Sequence, residues 1–185
     1  MKPAIIAATA ALMTGLSAHA ADWTVIHDES RLGIIGHQSG AAFEGAFLDF
    51  DAAISFDPAD PAAATIDVQI DMSSLDTDNA QRDDMVRGGD LFDVATYPTA
   101  QFTASGFAVE GEGAFETTGE LTIRDVTQQV SLPFTLTIEG NRAHATGELV
   151  INRIDFGVGQ GQWASDDPVA FDVSIVIDIV AEAAN

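Results

Sequence analysis

The sequence predicts an all-β domain of about eight antiparallel strands with one short helix, closed as an up-and-down barrel or packed as a sandwich. Three observations carry this reading. Apolar residues recur at every second position through most of the chain after residue 20, the period of strands that bury one face. Turn signals interrupt those runs at short intervals, so successive strands are expected to be antiparallel neighbours. A single segment, Ser74 to Phe102, abandons the alternation altogether.

The first twenty residues are read apart from the domain. Lys2 forms a short basic head, Ala4 to Leu16 an apolar run, and Ala18-His19-Ala20 a small-x-small cleavage signal before Ala21. This is the pattern of a secretory signal, cleaved after Ala20, with residues 21–185 expected as one exported domain. The run is too short to cross a bilayer, and no other stretch approaches the roughly 20 apolar residues that spanning needs. An integral membrane protein is therefore not expected.

Between Phe43 and Phe56 the alternation changes phase. Phe43, Gly45 and Phe47 share one parity, whereas Leu48, Phe50, Ala52, Ile54 and Phe56 share the other. A one-residue change of phase is what a β-bulge produces, so a bulge or bend is expected near Phe47 and Leu48. Ile66, Val68, Ile70 and Met72 then alternate with Thr65, Asp67, Gln69 and Asp71. Val130, Leu132, Phe134, Leu136 and Ile138 form a long strand pattern, and Val169 to Ile179 another. Asp57-Pro58, Gly111-Glu112-Gly113, Arg124-Asp125 and Gly140-Asn141 mark the turns.

Inside the exceptional segment, Thr77 or Asp78 can cap a short helix, with Gln81 completing a capping box three residues after Asp78. Gly88 suits its C-terminal end. Arg82 and Arg87 on this helix stand five residues and therefore about 140° apart around the axis. They do not share a face.

Seven Lys and Arg stand against 29 Asp and Glu, a net charge of −22. Such a balance repels phosphate backbones and anionic membrane surfaces, so no nucleic-acid partner is expected. Every cation after Lys2 is an arginine. There is no cysteine, which excludes thiolate nucleophiles and cysteine metal sites. His27, His37 and His144 show no ligand spacing, and Asp76-Thr77-Asp78-Asn79 lacks the glycine and glutamate of a calcium loop. Neither a metal nor a cofactor is expected. The common hydrolase, zinc-protease, P-loop and dinucleotide motifs do not occur.

Ordered along the chain are Trp23, Asp28, Ser30, His37, Phe43-Glu44-Gly45-Ala46-Phe47, Phe50 and Phe56-Asp57. Ser74, Thr77, Arg82-Asp83, Arg87, Asp90, Phe92, Tyr97-Pro98 and Phe102 follow, and then Gly119-Glu120-Leu121-Thr122-Ile123, Val126-Thr127, Arg153 and Asp155-Phe156-Gly157. In this order and spacing they resemble the YceI-like family of periplasmic, lipocalin-like proteins associated with polyisoprenoid binding. The resemblance implies an eight-stranded antiparallel lipocalin-like barrel with a helix near its mouth, around a long apolar cavity. Gly33, Met85 and Asp125 depart from the family pattern, which often has an aromatic, a histidine and a glycine there.

A barrel of about eight strands holds at most one slender ligand among its inward side chains. Phe43, Phe47, Phe50, Met72, Leu91, Phe92 and Phe102 are the expected apolar wall, and Arg82 and Arg87 the expected contacts to a head group, with His37 near the pocket. The two arginines could equally bridge Asp83, Asp84, Asp90 or Asp93 and tie the helix to the rim. The expected function is a carrier that holds a long-chain amphiphile, namely a polyisoprenoid, a quinone-like molecule or a fatty amide. Two other readings stand beside it: a lipid hydrolase or isomerase with His37 or an aspartate as base, and an adaptor for a membrane redox protein. A homodimer is among the assemblies allowed.

Overall fold

The computed structural model describes residues 21–184; the expected signal segment lies outside them. Strands run at Ala21–Val25 (β1), Arg31–Gln38 (β2), Ala41–Phe47 (β3), Phe50–Phe56 (β4), Thr65–Asp71 (β5) and Leu75–Asp76 (β6). Thr99–Ser105 (β7), Ala108–Gly111 (β8), Ala114–Ile123 (β9), Val126–Glu139 (β10), Arg142–Asn152 (β11) and Asp172–Ala183 (β12) complete the sheet. The helix is Ala80–Val86 (α1).

These pieces form a closed, eight-stranded antiparallel barrel. Four barrel strands are bent into two pieces each: β1 with β2, β3 with β4, β5 with β6, and β7 with β8. The ring closes through β12, which pairs with β1 at Ala183–Trp23 and with β2 at Ile177–Leu32. Closure settles the choice between barrel and sandwich, because it leaves no open sheet edge to cover. The bend between β3 and β4 falls at Leu48 and Asp49, where the sequence changes phase.

The expected turns at Glu112-Gly113, Arg124-Asp125 and Gly140-Asn141 join consecutive strands. One strand starts later than its pattern. Val169 and Phe171 precede β12, in a loop that touches β2 through the single bridge of Val169 to Gln38 and whose Val169 and Ala170 carbonyls accept from the Arg153 side chain.

Helix capping also differs from expectation. Asn79 is the cap, its side-chain oxygen accepting from Arg82 N at 3.1 Å. Thr77 is unavailable, because its hydroxyl donates to Asp83 Oδ1 at 2.7 Å while its amide donates to the same oxygen at 3.1 Å. Tertiary bonding has drawn the threonine away from the local role its spacing permits.

The end of the barrel away from α1 is shut by aromatic rings. Phe107 stacks on Phe56 with centroids 5.3 Å apart and meets Phe134 edge-on at 5.1 Å, while Phe115 stacks on Phe134 at 5.6 Å. Trp23 Nε1 donates to Phe56 O at 3.2 Å and fixes one side of this floor.

Candidate functional site

Between the floor and α1 the barrel encloses two apolar chambers. The upper one, of about 130 Å³, is lined by residues that include Phe43, Phe47, Met72, Leu91, Phe92 and Arg82. The lower one, of about 150 Å³, includes Phe50, Phe102, Ala52, Ala145 and Phe134. Hydrocarbon walls around a space of this size accept apolar molecules.

Two strand glycines make room for the rings that shape these chambers. A Cβ at Gly36 would meet the Phe43 ring at 2.6 Å, and one at Gly119 would meet Phe102 at 2.6 Å and the Thr103 carbonyl oxygen at 2.6 Å. Phe43 pairs across the strands with Gly36. Its ring therefore lies down against the wall and offers its other face upward.

Arg82 occupies that face. Its Cζ lies 4.2 Å from the Phe43 ring centroid, well within cation–π range, and its Nε donates to Thr77 Oγ1 at 3.0 Å. Asp83, buried at 7% exposure, holds Thr77 in turn through two hydrogen bonds. The terminal nitrogens of Arg82 make no hydrogen bond among the described residues. Four arginines pair with carboxylates: Arg31 with Glu44, Arg87 with Asp84, Arg124 with Asp93, and Arg142 with Glu29 and Glu182. Arg82 and Arg153, the two that line the upper chamber, pair with none among the described residues.

Arg87 faces elsewhere. It donates to Ser73 O at 2.9 Å and Leu75 O at 3.0 Å and sits 3.6 Å from Asp84, so it fastens the helix to the rim and lines neither chamber. His37 is exposed, its ring outside both chambers; its backbone pairs with Ala42 on β3 and its carbonyl accepts from Ala170 N. Inward parity on β2 belongs to Gly36 and Gln38, which leaves His37 on the outer face. Phe43, Phe47, Met72, Arg82, Leu91 and Phe92 meet in the upper chamber, and Phe50 and Phe102 in the lower.

Arg153 was not anticipated as part of the site. It is only 4% exposed and uses all five N–H groups on backbone carbonyls: Ala170, Val158, Trp163, Ser165 and Val169, at 2.8–3.0 Å. Burial lowers the pKa of its guanidinium. The five carbonyl dipoles offset the lost hydration and fold the loop between β11 and β12 over the chamber. The Arg153-Asp155-Phe156-Gly157 run was the one sequence signal for it. Gln38, half-buried on the rim beside Arg82 and Phe43, carried no signal beyond its inward parity.

The rim is stitched by further backbone contacts. Gly159 N and Gln160 N donate to Asp90 O at 3.0 and 2.7 Å, and Arg124 donates to the carbonyls of Gly89 and Leu91. Gln38, Phe43 and Arg82 are each only partly buried. Solvent therefore reaches the cavity on their side.

A family model described as the YceI-like domain matches residues 23–181. The chain belongs to this family. Among relatives of this YceI-like domain, a UPF0312 protein of Pseudomonas savastanoi is 32% identical over 92% of the chain and 93% of its own length. A second, from Azotobacter vinelandii, is 30% identical over 95% and 94%. The crystal structure of BcnA from Burkholderia cenocepacia superposes with a TM-score of 0.82 at 35% identity, covering 84% of this YceI-like chain and 98% of BcnA. A domain of Saccharophagus degradans, described as polyisoprenoid binding and implicated in plant cell wall breakdown, shares the fold with a TM-score of 0.68 at 16% identity, over 90% and 100%.

Proposed function

We propose that this YceI-like chain is a periplasmic carrier or sequestering protein for a long-chain amphiphile: an isoprenoid, a quinone-like molecule or a fatty amide. The tail lies in the barrel and the head stays at the rim beside Arg82 and Gln38. The observation that carries this reading is an apolar cavity whose partly exposed rim holds a guanidinium that pairs with no carboxylate among the described residues. In a chain of net charge −22, a cation left unpaired there is available to an acceptor from outside.

Each methylene moved from water into the cavity contributes on the order of 0.8 kcal/mol before ordering costs. Burial of the tail thus supplies affinity, and one polar handle is enough to orient the head. The polyisoprenoid description of the Saccharophagus domain agrees with this reading through the fold alone. The periplasmic placement rests on the signal pattern of residues 1–20. His37, one of the two kinds of base the enzymatic reading offered beside an aspartate, lies on the outer face, which favours the carrier reading.

Gentle purification followed by native mass spectrometry and organic extraction tests the proposal. A co-purified lipid of defined mass is expected. A ligand-free chain that also takes up no prenyl or fatty-amide probe would overturn it.

A further inference from the structure

The upper and lower chambers share one layer of side chains, the waist. Leu32 on β2, Ile70 on β5, Leu121 on β9 and Ile175 on β12 line both. They come from four of the eight barrel strands and form an aliphatic ring across the interior. Below it the lower chamber owes its space to short side chains, Ala52 and Ala145, and it ends on Leu132 and Phe134, backed by Phe56 and Phe107.

We propose that the waist is a length gate and the lower chamber a separate subsite for the far end of a long tail, so that chain length is read in two steps. This rests on the carrier reading given above. Chains that end above the waist fill only the upper chamber, and longer slender chains pass between the four aliphatic side chains to collect the second. The polar end contributes equally to both classes, because Arg82 and Gln38 line only the upper chamber.

The strand geometry sets the length at which the second step begins. From Gly36, beneath the Phe43 ring, to Leu32 on the waist is four residues of β2. That is roughly 13 Å along a strand rising about 3.3 Å per residue, or about 10 Å along the axis at a tilt of roughly 40°. An extended alkyl chain advances about 1.3 Å per carbon, given C–C bonds of about 1.5 Å. A tail therefore reaches the waist at about eight to ten carbons.

The experiment is calorimetric titration of the full domain with primary fatty amides of about six to sixteen carbons, against wild type and an Ala52→Leu, Ala145→Leu double variant. The added side chains enter the lower chamber's open space, and a thermal melt of the variant checks its fold before titration. For wild type, affinity rises about fourfold per added methylene up to about eight carbons, pauses while the tail end crosses the waist, and rises at that rate again beyond about ten, whereas an unbroken rise would mean that no gate exists. For the variant it follows wild type up to about ten carbons and is flat beyond, since the second chamber is gone. Ile175→Phe, which narrows the waist and leaves the chamber empty, gives the same break. A variant that tracks wild type at every length, or a wild type already flat past about ten carbons, overturns the two-step gate and leaves the carrier reading standing. If wild type binds no amide and no prenyl alcohol of any length, the carrier reading itself falls.

Discussion

Arg82 lies over the ring of Phe43, 4.2 Å from its centroid, while Thr77 Oγ1 holds its Nε at 3.0 Å and the two terminal nitrogens have no partner among the described residues. The ring and the hydroxyl fix where the guanidinium sits. What it binds is left to the ligand.

Arg82→Ala is expected to weaken retention of an amphiphile about tenfold, since cation-assisted head contacts are worth about 1–2 kcal/mol. Melting temperature should move by no more than a few degrees. Titration and thermal melts on the same sample decide it: a large drop in melting temperature with ligand affinity intact would show that Arg82 only braces the rim. Arg82→Lys keeps the charge and loses the fork, so an intermediate affinity is expected.

Removing Arg153 should be a folding defect. Arg153→Met leaves five buried carbonyls without their donor, and breaking a buried charged network costs about 3–5 kcal/mol. In a domain of this size that lowers the melting temperature by roughly 10 °C. A variant melting within two or three degrees of wild type would refute this account of the loop. The defect should not vary between about pH 6 and 9. Because burial lowers this guanidinium's pKa, the folded state binds the proton less tightly than the unfolded state, and stability rises with pH only in the strongly alkaline window where the two differ. Through neutrality the group is charged in both states.

The two strand glycines should separate structure from ligand. At Gly36 an added methyl meets only the far end of the Phe43 side chain, whereas at Gly119 it also meets the Thr103 backbone at 2.6 Å. Gly36→Ala is thus expected to cost less than about 1 kcal/mol while tilting the Phe43 ring and weakening ligand binding. Gly119→Ala should cost about 1–3 kcal/mol, because backbone has to shift. Chemical denaturation of both variants checks the order; equal costs, or the reverse order, would contradict the contact geometry.

Salt should stabilise this domain. A net charge of −22 repels itself over a screening length that shrinks from about 30 Å at 0.01 M to about 3 Å at 1 M. Melting temperature is expected to climb between those limits in sodium chloride. A flat or falling profile would mean that the four carboxylate-paired arginines already balance the local field.

Much of the barrel was legible in the sequence because its cause is local. A residue's parity along a strand fixes which face it takes, so Ile70, Phe102 and Phe134 could be placed inward from their neighbours alone. The break at Leu48-Asp49 was legible for the same reason: a bend shifts parity, and parity is written in consecutive residues. The limit shows at Val169 and Phe171, which continue the alternation of β12 although their segment is held only by the single bridge of Val169 to Gln38 and by bonds to Arg153. Alternation reports burial and does not say how far the strand ladder extends.

A β-rich, acidic, cysteine-free chain with one helical interruption is written in the residues themselves, and the YceI-like motifs carry its topology. Tertiary structure alone decided which arginine is free. Arg82, Arg87 and Arg153 are the same residue with the same flexible reach, and distant groups assign them: Thr77 and Phe43 for the first, the Ser73 and Leu75 carbonyls for the second, five loop carbonyls for the third. A long side chain's partner is chosen by what lies within about 6 Å in space, and strand periodicity carries no record of that. The waist is of the same kind. Leu32, Ile70, Leu121 and Ile175 are ordinary inward residues on their own strands, and only closure of the barrel brings them to one level.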